Sequence, residues 1–173
     1  MANKGDRFEM PDGSIYVVET PGAETDGECV QMEFVLPAGC VAPPPHVHPQ
    51  QVEEYEVLAG SFEVMVNGQW SALSPGEKAS VPVGALHTFR NSSDAEVRVR
   101  NWHRPAMQFE DFIERVSANL KAAGVKGGRD PRIPMIISAA MFRYPTTLAP
   151  GRRREMVPMR VMAGIGRLLR LPS

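Results

Sequence analysis

Apolar positions divide this chain into two parts with different periods. Up to about residue 104 they come in short runs of alternation, broken every few residues by turn signals. That pattern predicts strands over 15–19, 30–36, 52–58, 62–66, 79–81, 87–90 and 97–103. The breaks are Thr20-Pro21-Gly22, Pro37-Ala38-Gly39, Ala59-Gly60, Val66-Asn67-Gly68, Ser74-Pro75-Gly76 and Pro82-Val83-Gly84, each a plausible turn. Asn67-Gly68 is the strongest hairpin signal, because both residues tolerate the positive φ that a tight hairpin needs. Regular short strands of this kind predict a barrel or sandwich.

From Gln108 the period lengthens. Phe109, Phe112, Ile113 and Val116 have the spacing of an amphipathic helix. Gly127-Gly128, Pro131 and Pro134 mark a loop, after which 135–143 predicts a second helix. A third follows Arg152, with Pro158 near its start and Val161, Ile165 and Leu168 on one face. We expect a β-barrel over 1–105 and a helical C-terminal extension over 106–173, packed together as one domain.

Composition bears this out. The chain has 173 residues, enough to bury a core without disulfides, and 31 of them are Gly or Pro, which favours turns over long helices. A net charge of −1 gives no drive toward nucleic acid or anionic membrane, and no partner of either kind is expected. That charge is uneven: residues 1–141 sum to −7 and residues 142–173 to +6. We expect the basic last helix to dock on the acidic barrel of its own chain or of a partner. The competing reading is a membrane or nucleic-acid patch including Arg152, Arg153 and Arg154. Cys29 and Cys40 are the only cysteines and lack metal-motif spacing, so two free thiols in a reducing cytoplasm are expected. The N-terminus lacks the apolar core of a signal peptide, and no stretch is long and apolar enough to span a bilayer.

The chemistry sits in two stretches. The first runs from Gly39 through His46, His48 and Glu53 to Gly60, and the second from Gly76 through Pro82, Gly84 and His87 to Asn91. Side chains two apart on a strand share a face, so His46 and His48 can grip one ion together. A short turn at 49–51 brings Glu53 back beside them, and the turn at Pro82–Gly84 feeds a strand starting near His87. Three imidazoles and a carboxylate make a mixed nitrogen–oxygen site for one divalent ion of Fe, Mn, Ni, Co, Cu or Zn. A lone histidine is more often a hydrogen-bonded structural group, but three of this chain's four histidines fall in these stretches.

The two stretches resemble the signature motifs of the cupin superfamily. The first, G-x5-H-x-H-x3–4-E-x6-G, is matched from His46 to Gly60, with Gly39 one residue early. The second, G-x5-P-x-G-x2-H-x3-N, is matched at every position from Gly76 to Asn91. The resemblance covers roughly residues 13–105. It implies a mainly β fold, the double-stranded β-helix or jelly-roll barrel followed here by C-terminal α-helices. It also implies His46, His48, Glu53 and His87 as metal ligands, and a homodimer as the common assembly. Gly60, Gly76 and Gly84 read as turn glycines, Asn91 as a turn or hydrogen-bonding residue and Cys40 as a small buried hydrophobe. Glu54 and Glu56 fall on the opposite face of their strand from Glu53.

The same phase rule puts Tyr55 and Val57 on the face of Glu53, Phe89 on that of His87, and Met32 and Phe34 nearby. Together they outline an apolar pocket for a small organic substrate, although an ordinary barrel core would give the same pattern. Val97, Val99, Asn101 and His103 also share a face. Asn101 and His103 are then hydrogen-bonding or substrate-contacting groups beside the metal, or the strand ends before them and both are exposed. The second reading is slightly favoured. For function, the open ligand set and the resemblance point first to a quercetinase-like dioxygenase, with Glu53 as catalytic base. A redox-neutral isomerase or polyketide cyclase is the alternative, and a non-catalytic ligand-binding or sensor protein is third.

Overall fold

The computed structural model describes residues 2–40, 43–151 and 153–173. Met1, Val41, Ala42 and Arg152 lie outside the described residues, and with Arg152 goes part of the expected arginine patch. Two antiparallel sheets make the barrel. One has six strands in the order β1 (Arg7–Glu9), β2 (Ile15–Thr20), β3 (Val30–Leu36), β10 (Val97–Arg104), β5 (Val52–Ala59) and β8 (Lys78–Val81). The other has five, in the order β11 (Ala149–Pro150), β4 (His46–Val47), β9 (His87–Arg90), β6 (Phe62–Val66) and β7 (Gln69–Leu73). Neighbours that are distant in sequence, such as β3 beside β10, give the crossed connectivity of a jelly roll. All seven predicted strands are present within a residue of their expected ends. Asn67 and Gly68 join β6 to β7 with φ of 50° and 87°, as the hairpin signal requires.

Alternation decides what each strand buries. Along β5, Glu53, Tyr55 and Val57 point inward. Glu54 and Glu56 point outward and meet Arg104 at 3.0 Å and Arg100 at 3.3 Å on β10. Much of the acidic charge of the barrel is thus paired across its own outer face. The interior is aromatic: Phe34, Tyr55, Phe62 and Phe89 are in ring contact, with Tyr55–Phe62 centroids 5.1 Å apart and Phe34–Phe89 5.8 Å. Met32, Phe34, Tyr55, Val57 and Phe89, the residues outlined as a pocket, are all buried in this core cluster.

Strand β10 continues to Arg104, with Val97, Val99, Asn101 and His103 all facing in. The favoured expectation that Asn101 and His103 are exposed is therefore corrected, since each is 0% exposed. Ladder bonds to β3 and β5 on both sides keep this strand regular past its last valine.

The C-terminal part holds three helices, α1 (Phe109–Ala122), α2 (Ile133–Arg143) and α3 (Met156–Leu168). Helix α1 buries the predicted stripe Phe109, Phe112, Ile113 and Val116. It is tied to the barrel by the Glu110 carboxylate, which accepts from the Gly22 N–H at 3.1 Å, and by Ser117 Oγ, which donates to the Glu9 carbonyl at 2.8 Å. Gln51 Nε2 donates to the carbonyls of Pro105 and Ala106, fixing the chain as it leaves β10.

Helix α3 corrects the own-chain half of a second expectation. Within its own chain it packs on α2, not across the barrel, and it does so through Ala163 and Gly166. A Cβ on Gly166 would stand 3.3 Å from Met135 Cβ, so the small side chains permit the close approach. The opposite stripe is left outward, with Val161 56% and Leu168 82% exposed.

Candidate metal centre

The two sheets bring five titratable side chains to one place. Cross-strand partners share a face, and the register sets His46 opposite His87 on β4 and β9, and His103 opposite Glu53 on β10 and β5. His48 follows β4 on the same side. His48, Glu53, His87 and His103 are each no more than 2% exposed, and His46 is 8% exposed. The Nε2–Glu53 Oε2 separations are 2.8 Å for His87 and 3.6 Å for His48.

Hydrogen bonds on the far side of each ring decide what faces inward. The Nδ1 of His46 lies 2.8 Å from the Pro44 carbonyl, that of His48 2.5 Å from the Thr147 carbonyl, and that of His87 3.0 Å from the Ala85 carbonyl. A carbonyl can only accept, so each Nδ1 carries the hydrogen, and each ring when neutral offers its Nε2 lone pair. His48 Nε2, His87 Nε2 and Glu53 Oε2 are buried without a hydrogen-bond partner. The ligand atoms of His46, His48 and His87 lie within 4.8 Å of one another, as do those of His48, Glu53 and His103. Orphaned lone pairs converging in a buried space are costly unless something binds them. The residues therefore fit a divalent metal ion, and the nitrogen–oxygen donor set suits a first-row transition metal.

Burial acts against every charge here, but unequally. Against that penalty, the imidazoles facing Glu53, His103 first among them, hold its carboxyl well below the ordinary value. Burial holds His103 down to about 4, and holds His46 well below its ordinary value with help from His87 and His48. His87 is raised: burial opposes its charge, but the Glu53 carboxylate facing it outweighs that. Glu53 is thus the anion, with neutral His46 and His103 beside it. Burial also raises the Tyr55 phenol, and the Glu53 charge adds to the effect.

Four participants were not assigned from the motifs. Asn101 Nδ2 donates to Glu53 Oε1 at 2.9 Å, and His103 Nε2 lies 3.3 Å from the same oxygen. Phe109, the first residue of α1, stacks on the His103 ring with centroids 3.5 Å apart. The Thr147 carbonyl, on the segment leading into β11, orients His48. The inward phase of Asn101 and His103 is visible in the sequence, but their partner is set by register between strands far apart in the chain. No local signal marks Thr147, because the acting group is a main-chain carbonyl.

Residues 32–103 match the family model described as Cupin domain. An uncharacterised protein of Aquifex aeolicus (strain VF5) is 36% identical over 53 residues, which is 31% of this chain and 44% of that protein. The chain thus spans less than half the length of this curated relative. Among solved structures, a protein of Thermotoga maritima described as a predicted oxalate decarboxylase superposes with a TM-score of 0.53 at 16% identity, covering 59% of this chain and 92% of that one. An RmlC-like cupin from Shewanella frigidimarina NCIMB 400 gives 0.51 at 19%, covering 62% and 88%. At such identities the structural likeness speaks to fold alone. The matched stretch, residues 32–103, is a cupin domain that holds both signature motifs and the strand carrying Asn101 and His103, and helices follow it on the C-terminal side.

Proposed function

We propose that this protein is a metal-dependent enzyme acting on a small organic substrate, with quercetinase-like oxygenation as its reaction. One observation carries the reading: three buried imidazoles, each turned by a backbone carbonyl, aim Nε2 at one space beside the Glu53 carboxylate. His46, His48, Glu53 and His87 are the residues that would hold the ion. A bound Fe, Mn, Ni, Co or Cu ion supplies a redox-capable Lewis acid there, and zinc a redox-inert one.

The chain's own residues do the rest. Glu53, the anion of the group, accepts the substrate proton. Asn101 and His103 keep the carboxylate in place. Burial of all five side chains excludes bulk water and strengthens each electrostatic contact. The proposal includes a cytoplasmic homodimer that covers a barrel edge, for which the exposed edge strand β7 is suited.

Elemental analysis of freshly purified protein, followed by oxygen uptake after Fe, Mn, Ni or Co reconstitution over flavonols and diketones, tests the reading. One metal per chain and substrate-dependent uptake are expected. Background uptake throughout sinks the oxygenase. Zinc occupancy with turnover but no uptake selects the isomerase or cyclase chemistry instead.

A further inference from the structure

We infer that Asn101 and His103 are positioning residues, which hold one oxygen of Glu53 so that only the other is offered to the metal. The inference rests on the metal-centre reading above and adds two residues that lie outside both signature motifs.

The geometry divides the carboxylate. Oε1 receives the Asn101 amide at 2.9 Å and faces His103 Nε2 at 3.3 Å, both from β10. Oε2 faces His87 Nε2 at 2.8 Å and His48 Nε2 at 3.6 Å. A glutamate has three rotatable side-chain bonds, and a buried carboxylate with nothing on one oxygen could present either oxygen or both. The Asn101 amide, as donor, and the His103 ring, in close contact with the same oxygen, restrict that freedom before any ion arrives, which is preorganisation of a ligand by its outer contacts.

His103 itself is held differently from the other imidazoles. No backbone carbonyl takes its Nδ1, and neither ring nitrogen has a well-formed hydrogen bond. Its plane is set by Phe109, which stacks on it at an interplanar angle of 23°. A fully buried imidazole so poorly partnered costs folding free energy that an apolar side chain would avoid. A role toward Glu53 accounts for it. The competing role for His103 is a further ligand, since its ring nitrogen lies within 4.8 Å of a His48 ring nitrogen and a Glu53 carboxylate oxygen. His103 Nε2 nevertheless lies 3.3 Å from the Oε1 that Asn101 also holds, whereas His87 faces Oε2.

The test uses full-length, chelator-stripped protein titrated with Co(II) alone. Affinity is read by competition with a chromophoric chelator, and the visible absorption of the bound ion is recorded. Wild type is expected to take one equivalent. Asn101→Ala, and His103→Phe, which keeps the aromatic stack but donates nothing, should weaken binding by about 10- to 100-fold and shift the visible band. His103→Gln, which restores an N–H donor, should recover most of the affinity. Asn101→Ser and His103→Asn stand in for any variant that lacks a cooperative melt. Wild-type affinity and an unchanged band in these variants overturn the positioning role and leave the metal centre intact. His103→Gln as weak as His48→Ala also overturns it, making His103 a ligand. Absence of Co(II) binding by wild type removes the metal centre, and the inference with it.

Discussion

His48→Ala separates the two jobs this side chain does. Its Nε2 is one of four proposed ligand atoms, and its Nδ1 donates to the Thr147 carbonyl at 2.5 Å. Four-ligand structural sites bind zinc with about 10–16 kcal/mol, so one ligand in four is worth roughly 3–4 kcal/mol, or two to three orders of magnitude in Kd. Thr147 is 0% exposed, so its carbonyl is left without a donor and without water. That orphan costs about 1–3 kcal/mol, which in a chain this long lowers Tm by roughly 2–12 °C. The aromatic core around Phe34, Phe62 and Phe89 is untouched, so the variant should still melt cooperatively. Elemental analysis after desalting reads the first effect, and a thermal melt in chelator reads the second. His46→Ala is the control, because its Nδ1 bond goes only to Pro44, two residues away. It should lose metal with a smaller loss of metal-free stability. Full metal stoichiometry in His48→Ala would refute the ligand assignment, and a metal-free Tm equal to wild type would refute the link to Thr147.

Other consequences are open to direct measurement. Metal-free protein should lose stability on acidification. His103 is held down to about 4 by burial, so its contribution is complete above its ordinary value of 6.5 and is lost as pH falls from there toward 4. Over that window it amounts to roughly 3 kcal/mol. His46 acts in the same sense, while the raised His87 works oppositely, its contribution fading as pH rises. Melts of chelated wild type and His103→Phe from pH 7 to 5 should show the shallower slope in the variant, and equal slopes would count against it. Gly60→Ala should cost about 2–3 kcal/mol, because φ is +80° and the new Cβ would stand 2.8 Å from the Glu96 carbonyl oxygen. Gly68→Ala, with φ +87° but open space, should cost about 1 kcal/mol, and urea melts that reverse this order would refute the steric account. Val161→Lys and Leu168→Lys should each change stability by less than about 0.5 kcal/mol, since both side chains face outward. A larger loss in dilute protein would mean that this stripe of α3 is packed after all.

Seven strands of the barrel, their inward faces and the ligand motifs were legible in the sequence, since alternation and turn residues are local properties, whereas the short strands Arg7–Glu9 and Ala149–Pro150 carried no such pattern. Spacing alone put His46 and His48 on one face and brought Glu53 back beside them. The phase of Val97, Val99, Asn101 and His103 was equally visible. Whether that strand stayed in the barrel was not, because its hydrogen-bond partners β3 and β5 lie far back in the chain. Register was the deciding step: pairing Glu53 with His103 joined a motif residue to one outside both motifs. The C-terminal part behaved likewise. Its helices were readable from apolar period, but period cannot say which side of α3 packs. Ala163 and Gly166 took that role because small side chains let the axes approach. The contacts of Phe109 with His103 and of Thr147 with His48 are long-range and in one case made by the main chain. A linear pattern records which groups a chain carries, and only tertiary structure decides which distant ones share a buried space.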